Sequence, residues 1–317
     1  MLFEYPGPRG LSAVQAVPNS AVVLFGEVLA DVFPDRTVLG GAPFNVARHL
    51  KAFGRNPVLI TRLGNDELGD EVMRTMEQSG MSTVGVQTDK SHRTGKVEVR
   101  LENGAHRFEI LPARAYDYIH PVIARMAALS VHPVMSYFGT LAQRSETSNR
   151  SLRGILKISG VTRFLDVNLR EPWYDKRVLR QSLEYAEIVK VNECELGVLS
   201  GMFDLNETDR NAQAAQLIRH FNIEQLLVTR GDEGAVSYDQ NGAVVERPVA
   251  TRSVAMVDTV GAGDAFSAVC LLGALCHWPI TIIMERANDF AAAICGVRGA
   301  VPDHAEFYEP FLAAWKC

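Results

Sequence analysis

The sequence has no features of a membrane-spanning or nucleic-acid-binding protein. Its longest apolar run, AVCLLGALC from Ala268, has only about half of the ~20 residues that a membrane-spanning helix needs. No block of Lys and Arg stands out, and 32 basic against 37 acidic residues give a net charge of −5. A chain of this charge is poorly suited to bind a polyanion. We therefore expect no membrane segment and no nucleic-acid partner.

Cysteine is scarce and shows no metal-binding or redox pattern. There are five cysteines, an odd number without a C-x-x-C pair, and two of them lie in strongly apolar stretches. This pattern predicts reduced thiols buried as small hydrophobic side chains, and hence a cytoplasmic location. Residues 1–20 lack both a basic n-region and a continuous apolar h-region, so we expect a flexible N-terminal extension and not a signal peptide.

Two common nucleotide-binding loops are also missing. The segment DTVGAGDAFSA, residues 258–268, begins like a dinucleotide-binding G-x-G-x-x-G loop, but Phe266 stands where the third glycine belongs. The pair Gly95-Lys96 is not a Walker A loop, because Lys90 stands where its leading glycine belongs. A Rossmann dinucleotide site and standard P-loop chemistry are therefore excluded.

The alternation of short β-rich runs with helix-length amphipathic runs predicts an α/β protein. The chain has 317 residues, of which 47% are hydrophobic and 22% charged, a composition that can bury a sizeable core. The alternation favours a mainly parallel central sheet flanked by helices. The predicted strands are 21–33, 57–64, 133–139, 161–168, 186–192 and 225–231.

One segment, residues 94–110, interrupts this alternation. It consists of two runs of alternating polar and apolar residues, separated by Asn103-Gly104. This pattern predicts a β-hairpin with one covered face. The hairpin is either a flap over a functional site or an ordinary edge hairpin.

The glycine-rich turn in DTVGAGDAFSA precedes an apolar helix. The backbone N–H groups of Gly261, Ala262 and Gly263 would lie at the helix N-terminus, which carries partial positive charge and can bind an anion. Asp264, in the first helical turn, can accept a proton from a hydroxyl that attacks a phosphoryl group. The alternative is a helix-start acid that only complements the helix dipole.

A second motif, GGAPFNVARHLKAFG, lies far upstream at residues 40–54. Its paired glycines allow close approach of a ligand, Pro43 begins a helix, and Asn45 offers both a donor and an acceptor. Just before it, Asp31 follows an apolar run, where a carboxylate can bind two vicinal hydroxyls. The alternatives are a plain loop-to-helix start and a solvated acid at a strand end.

Together these motifs resemble the two signatures of the PfkB, or ribokinase-like, carbohydrate kinase family. They occur in the right order at a typical separation, and the resemblance extends from residue 21 to the C-terminus. It implies a ribokinase-like kinase domain at residues 21–317, with a small β lid contributed mainly by residues 93–110. It also implies ATP and Mg²⁺ as cofactors, with a monovalent cation such as K⁺ as a further candidate, and a homodimer formed through the lid.

The resemblance assigns a role to each matching residue. Asp264 would be the general base, and the turn of Gly261, Ala262 and Gly263 would be the anion hole for the transferred phosphate. The residues assigned to the sugar or the phosphate are Asp31, Gly41, Asn45, Asp166, Asn168 and Arg170. The residues assigned to ATP are Thr229, Gly231, Gly234 and Asn288, and those assigned to the metal are Asn192 and Glu195. Without the resemblance, Asn192 and Glu195 would be capping residues.

Within the family, the residues of these motifs are most similar to those of the fructokinase branch, which phosphorylates a primary hydroxyl of a ketose. The main alternative is a 2-keto-3-deoxygluconate kinase, in which Arg170 and Arg93 or Arg100 would bind the substrate carboxylate. An alternative of another class is a catalytically silent sugar-binding regulator. Phe44 stands where the family usually has a small residue, so it either narrows the sugar pocket or packs in the core.

Overall fold

The computed structural model describes residues 10–11, 14, 20–33, 36–102, 105–205, 207–248 and 256–315, with the backbone alone at 99–102 and 105–108. The strands are β1 (Ala21–Phe25), β2 (Leu29–Val32), β3 (Thr37–Gly40), β4 (Asn56–Gly64), β5 (Val86–Asp89), β6 (Gly95–Glu102), β7 (Ala105–Ile110), β8 (Pro133–Phe138), β9 (Thr162–Asp166), β10 (Ile188–Asn192), β11 (Gln225–Thr229), β12 (Ala235–Asp239) and β13 (Val244–Arg247).

A mainly parallel sheet forms the centre of the fold, as the alternating pattern predicts. Its strand order is β13-β12-β11-β10-β9-β8-β1-β4-β5. The strands from β11 to β5 run parallel to their neighbours, whereas β12 and β13 are antiparallel additions at one edge. The sheet is buried on both faces, which is why its central strands are almost continuously apolar.

Helices cover both faces of this sheet. They are α1 (Ala42–Ala52), α2 (Glu67–Gln78), α3 (Pro121–Ser130), α4 (Glu146–Leu156), α5 (Lys176–Tyr185), α6 (Glu193–Met202), α7 (Arg210–Phe221), α8 (Ala262–Leu275), α9 (Ile280–Ile294) and α10 (Glu309–Ala314). One hydrophobic core packs α1, α2, α8 and α9 against one face of the sheet. A second core packs α3 to α7 against the other face. This arrangement confirms the predicted ribokinase-like α/β fold.

A second, smaller sheet forms the lid, in the order β3-β2-β6-β7. The predicted hairpin supplies β6 and β7, and the Asn103-Gly104 turn between them lies outside the described residues. Strands β2 and β3 also belong to this sheet. The continuous strand predicted at 21–33 is therefore wrong, because the chain leaves the central sheet after β1. Gly26, with φ of 149°, makes this break, and a Cβ on it would lie 2.7 Å from Pro43 Cγ.

Part of the N-terminal extension is packed against the domain. Leu11 and Val14 are buried in the core, and the Leu11 N–H donates to Gln225 Oε1 at 2.9 Å. These two apolar side chains therefore contribute to the core. Most of the rest of residues 1–20 lies outside the described part of the chain.

The cysteines follow their prediction only in part. Cys194, Cys270 and Cys295 are free, and Cys270 is buried in the core. Cys276 is disulfide-bonded, which contradicts the expectation of reduced thiols throughout. It lies half-exposed at the end of α8, and so it is not enclosed like Cys270. Among the described residues, no helix is long and apolar enough to cross a bilayer.

Candidate active site

The candidate site lies where the parallel strands end. Strands β1, β9, β10 and β11 run in one direction, so their carboxyl ends share one edge of the central sheet. Glu27, Asp166, Asn192 and Thr229 all lie at or just after these strand ends. In open α/β sheets this edge is where ligands bind, because the loops that follow the strands form a crevice there.

The two sequence motifs meet at Asp264. Asn45 lies in the first turns of α1, and its Nδ2 donates to Asp264 Oδ2 at 2.8 Å. The two helices α1 and α8 pack against each other, which brings together residues 219 positions apart. Gly41 caps α1 with φ of 107°, and a Cβ there would lie 2.6 Å from the Glu27 carbonyl oxygen. Only glycine fits this close approach.

The turn before Asp264 has the geometry of a helix start that requires glycine. Gly261 has φ of 82°, and a Cβ on it would lie 2.4 Å from Ala300 Cα. The Ala262 N–H makes a weak bond of 3.3 Å to the Thr259 carbonyl, so this amide already has a partner. As in any α-helix, the first amides of α8 have no partner within the helix, and they can bind an anion.

Asp264 is half-buried, and its surroundings raise its pKa. Burial raises the pKa to about 6, and Asp166 adds to the rise. The hydrogen bond from Asn45 and the charges of Lys190 and Arg170 oppose it. A carboxyl with this pKa is largely ionised at pH 7 and can still hold a proton during turnover, which suits a general base.

A buried network of hydrogen bonds lies beneath Asp264, and of its members only Asp166 was predicted from the sequence. Asp166 is fully buried and accepts from Lys190 Nζ at 3.0 and 3.2 Å, from Ser267 Oγ at 2.8 Å and from Tyr137 Oη at 3.2 Å. A Cβ on Gly263 would lie 3.0 Å from Lys190 Nζ, so the ammonium lies directly below the glycine turn. Asp166 therefore lies beneath the site, in contact with protein groups. In the sequence, Lys190 differs from its neighbours only as a single charged residue inside an apolar strand.

Arg170 acts electrostatically on both Asp264 and Asp31. Strand β9 ends at Asp166, and Asn168 has φ of 40°, so residues 166, 168 and 170 do not alternate along one face of a strand. Arg170 is exposed, and its charge lowers the pKa values of Asp264 and Asp31. Burial outweighs this effect at Asp31, whose pKa is raised. Asp31 lies on lid strand β2, so the lid itself carries a predicted sugar ligand.

Glu27 is a second residue that the motif analysis did not select. It follows β1, is 4% exposed, and its Oε2 atom has no hydrogen-bond partner in the described part of the chain. Burial raises its pKa to about 7, Arg170 and Arg144 oppose the rise, and Asp264 adds to it. The sequence signal was an acidic residue directly after a buried strand.

Asn192 and Glu195 form a capping box at the start of α6. Asn192 Oδ1 accepts from the Glu195 N–H, and Glu195 Oε2 accepts from the Asn192 N–H, both at 2.8 Å. Glu195 Oε1 accepts from the Leu169 N–H at 2.9 Å. Both carboxylate oxygens thus already hold backbone groups, and the described residues contain no cluster of three His, Cys, Asp or Glu suited to a metal. The pair fits Mg²⁺ held through water, with spare lone pairs, and does not form a protein cage.

The residues predicted for the nucleotide lie beyond α6 along the sheet edge. Thr229 ends β11, and Gly231 and Gly234 follow in a turn with positive φ values of 59° and 89°. A Cβ on Gly234 would lie 2.2 Å from the Arg247 carbonyl oxygen. The same oxygen accepts a hydrogen bond from Asn288 Nδ2 at 2.7 Å. The fold therefore brings Gly234 and Asn288 together. The side chain of Asn288 is buried and holds β13 against α9.

Phe44 is a core residue. Its side chain is fully buried within the hydrophobic cluster of α1 and α8. Of the two interpretations of this position, packing fits the structure, because the first turn of α1 directs Phe44 inward while Asn45 faces Asp264. The larger side chain therefore fills core volume.

Comparisons with known proteins agree with this geometry. The family model described as pfkB family carbohydrate kinase matches residues 12–306. A fructokinase of Escherichia coli is 31% identical over 269 residues, which cover 80% of this chain and 84% of that protein. The structure is also similar to two solved fructokinases. That of Xylella fastidiosa with bound ATP has a TM-score of 0.78 at 22% identity, covering 92% of this chain and 99% of that one. That of Vibrio cholerae with fructose, ADP and calcium has a TM-score of 0.72 at 25% identity, covering 92% and 98%.

Proposed function

The chain belongs to the pfkB family of carbohydrate kinases, and on that basis we propose that it is an ATP-dependent fructokinase. In this proposal it transfers the γ-phosphate of ATP to a primary hydroxyl of a ketohexose. The similarity to fructokinases, one of them solved with fructose and ADP, supports the choice of sugar and of nucleotide.

One observation carries the proposal: the 2.8 Å hydrogen bond from Asn45 Nδ2 to Asp264 Oδ2. It joins the motif proposed for the sugar to the motif proposed for the phosphate. The bond fixes one carboxylate oxygen and leaves the other, Oδ1, for the acceptor hydroxyl. A base held in one orientation close to its substrate accelerates a reaction that offers the protein little covalent chemistry.

The transfer step follows from this placement. Asp264 accepts the proton of the sugar hydroxyl, the hydroxyl oxygen forms a bond to the γ-phosphorus, and the bond from that phosphorus to the ADP oxygen breaks. The products are a sugar phosphate, ADP and a proton held on Asp264, which is then released to water. The raised pKa of Asp264, about 6, allows this proton to be held and then lost near neutral pH.

Four further groups would stabilise the charge that the phosphate carries. The first amides of α8 that lack a partner within the helix would donate to it, and Lys190 lies below the glycine turn. Arg170 offers a planar donor group on the open side. Bound Mg²⁺ would neutralise phosphate charge, and Asn192 and Glu195 would hold its water ligands. Thr229, Gly231, Gly234 and Asn288 would shape the nucleotide side.

The charges around the acceptor position favour a neutral sugar. Glu27, Asp31 and Asp264 all lie within electrostatic reach of Arg170. Arg144 also acts on Glu27 and Lys190 on Asp264, so each of these cations already has an acid to neutralise. A substrate carboxylate would add a fourth acid to a largely desolvated site. Arg93, considered above as a second carboxylate ligand, lowers the pKa of Asp66, and so its charge already acts on that acid. Arg100 has no described side chain.

The experiment that tests the proposal is a comparison of kcat/KM for fructose and for 2-keto-3-deoxygluconate, with Mg-ATP in a coupled assay. We expect a clear preference for fructose. A preference for the keto acid would replace the fructokinase assignment and leave the kinase assignment intact. Absence of turnover with any sugar, together with retained sugar binding, would support the silent regulator.

Two assignments stay predictions that need their own measurements. Light scattering coupled to size-exclusion chromatography tests the homodimer through the lid, whose β2, β3, β6 and β7 strands form a separate sheet. Turnover in K⁺ against a bulky organic cation tests the monovalent-cation requirement. We expect a mass of two chains and a higher rate with K⁺.

A further inference from the structure

Three buried polar atoms, one just after β1 and one in each of the short turns before α3 and α4, lack hydrogen-bond partners among the described residues. They are Glu27 Oε2, Tyr116 Oη and Arg144 Nη1. Buried polar groups are almost always paired, and leaving one unpaired costs about 1–3 kcal/mol. One such atom can arise from a local irregularity. Three on neighbouring segments point to a group that the described residues do not supply.

Tyr116 packs against the backbone next to Glu27, since a Cβ on Gly95 would lie 2.3 Å from the Val28 carbonyl oxygen and 2.8 Å from Tyr116 Cε1. The Arg144 guanidinium lies over the Tyr116 ring, with 5.0 Å from Cζ to the ring centroid. Glu27 acts electrostatically on both: its charge favours the protonated form of Arg144 and adds to the rise that burial causes in the pKa of Tyr116. All three therefore lie within electrostatic reach of one another. We call this group the Glu27–Tyr116–Arg144 pocket.

The surrounding structure holds two of these side chains in place. Arg144 Nε and Nη2 donate to the two oxygens of Asp117 at 2.8 and 2.9 Å, and Nη2 also donates to the Leu111 carbonyl. The Trp173 ring covers its other face, at 4.4 Å. Only Nη1 is left without a partner, so Arg144 is fixed with one donor to offer. Tyr116 is likewise fully buried.

Glu27 connects this pocket to the acceptor site. The same carboxyl that acts on Tyr116 and Arg144 is affected by Arg170 and by the proposed base Asp264. One acceptor, one donor and one hydroxyl that can do either match what a polyol presents, since each sugar hydroxyl both donates and accepts. A ligand carboxylate has no hydrogen to donate to Glu27 Oε2, and an apolar group would leave all three atoms unpaired.

We propose that the Glu27–Tyr116–Arg144 pocket is a specificity subsite that binds a hydroxyl of the sugar remote from the phosphorylated one. The inference rests on the proposed function, because it takes the acceptor to be a neutral ketose. Glu27 Oε2 accepts from the sugar hydroxyl, and Arg144 Nη1 or Tyr116 Oη donates to its oxygen. The subsite therefore reads the configuration of one carbon of the sugar.

The test compares kcat and KM for fructose and its three single-centre epimers, psicose, tagatose and sorbose. It uses the unmodified enzyme, Glu27→Gln and Tyr116→Phe, with Glu184→Gln on the exposed surface of α5 as the matched control. Both pocket variants should raise the KM for fructose, by about 10-fold to 100-fold for Glu27→Gln, as expected for a lost hydrogen bond to a charged group. The kcat should stay within about threefold. Both variants should also lose discrimination against the same epimer, and Glu184→Gln should change nothing.

Several outcomes would overturn the inference. The first is an unaltered KM and epimer preference in both variants, when unchanged melting curves show that both are folded. Internal water would then satisfy the three atoms. Another is loss of discrimination against different epimers in the two variants. If Glu27→Gln fails to fold, Tyr116→Phe decides the question alone. Failure of the proposed function is distinguishable, since it would appear in the unmodified enzyme. If the unmodified enzyme prefers another neutral sugar, the same comparison is made with that sugar and its epimers.

Discussion

Replacement of Asp264 by Asn removes the proposed base and keeps its shape. The Asn side chain can still accept the bond from Asn45 Nδ2, which now spans 2.8 Å. It cannot accept a proton from the sugar hydroxyl. Loss of a general base lowers a rate by about 10²–10⁴-fold, and we expect kcat to fall by this factor while sugar binding is retained.

The same substitution should leave stability at pH 8 unchanged or improved. Burial raises the folded-state pKa of Asp264 to about 6, above the ordinary value of 3.8. The folded state therefore binds this proton more tightly than the unfolded state does, and stability contributed by the protonated form is lost as pH rises through about 6. At pH 8 the ionised carboxylate destabilises the fold, and Asn removes that charge. Activity and stability should thus respond in opposite directions.

The assay combines steady-state kinetics, calorimetric sugar binding and thermal unfolding. In the unmodified enzyme, kcat/KM should fall about tenfold per pH unit below pH 6, as the base of the free enzyme becomes protonated, and Asp264→Asn should lose this acid limb. Near-normal turnover in the variant would refute the assignment of Asp264 as the base. A marked fall in melting temperature would show instead that the ionised carboxylate stabilises the helix start.

Three further predictions concern the groups around the base. Lys190→Met should destabilise the fold by about 3–5 kcal/mol in denaturant titrations, because it leaves Asp166 as a buried, unpaired charge. Adding Asp166→Asn should recover part of this loss; an additive further loss would contradict the pairing. Glu195→Gln should raise the Mg²⁺ concentration needed for half-maximal rate, and lowered stability with an unchanged Mg²⁺ titration would leave it only as a cap. Phe44→Ala should cost about 3–5 kcal/mol, as usual for a buried ring, without altering the preference among sugars; altered preference would place the ring in the pocket.

Local patterns were sufficient for the central sheet and for the two helix starts. Gly41 and Gly261 were recognisable in the sequence as glycines at the start of the two motif helices. The structure shows why glycine is needed at both: each has a positive φ, and a neighbouring backbone lies too close for a side chain. The lid was predicted only in part. Its hairpin has a clear alternating pattern, but β2 continues the apolar run of β1, and only the conformation of Gly26 separates the two strands.

The hydrogen bonds beneath the base could not be predicted from local patterns. Lys190, Asp166 and Ser267 come from three segments, and their hydrogen bonds depend on how β9, β10 and α8 pack. Arg144 and Tyr116 likewise come together only because the 3₁₀ turns before α3 and α4 pack against each other. Pairing across such distances in sequence is a property of the tertiary structure.

Identification of the product formed from fructose and Mg-ATP, by ³¹P and ¹³C nuclear magnetic resonance, tests the proposed phosphoryl transfer itself. We expect one fructose monophosphate, phosphorylated at a primary carbon, formed in equal amount with ADP. ADP formed without a sugar phosphate, or a phosphate on a secondary carbon, would contradict it.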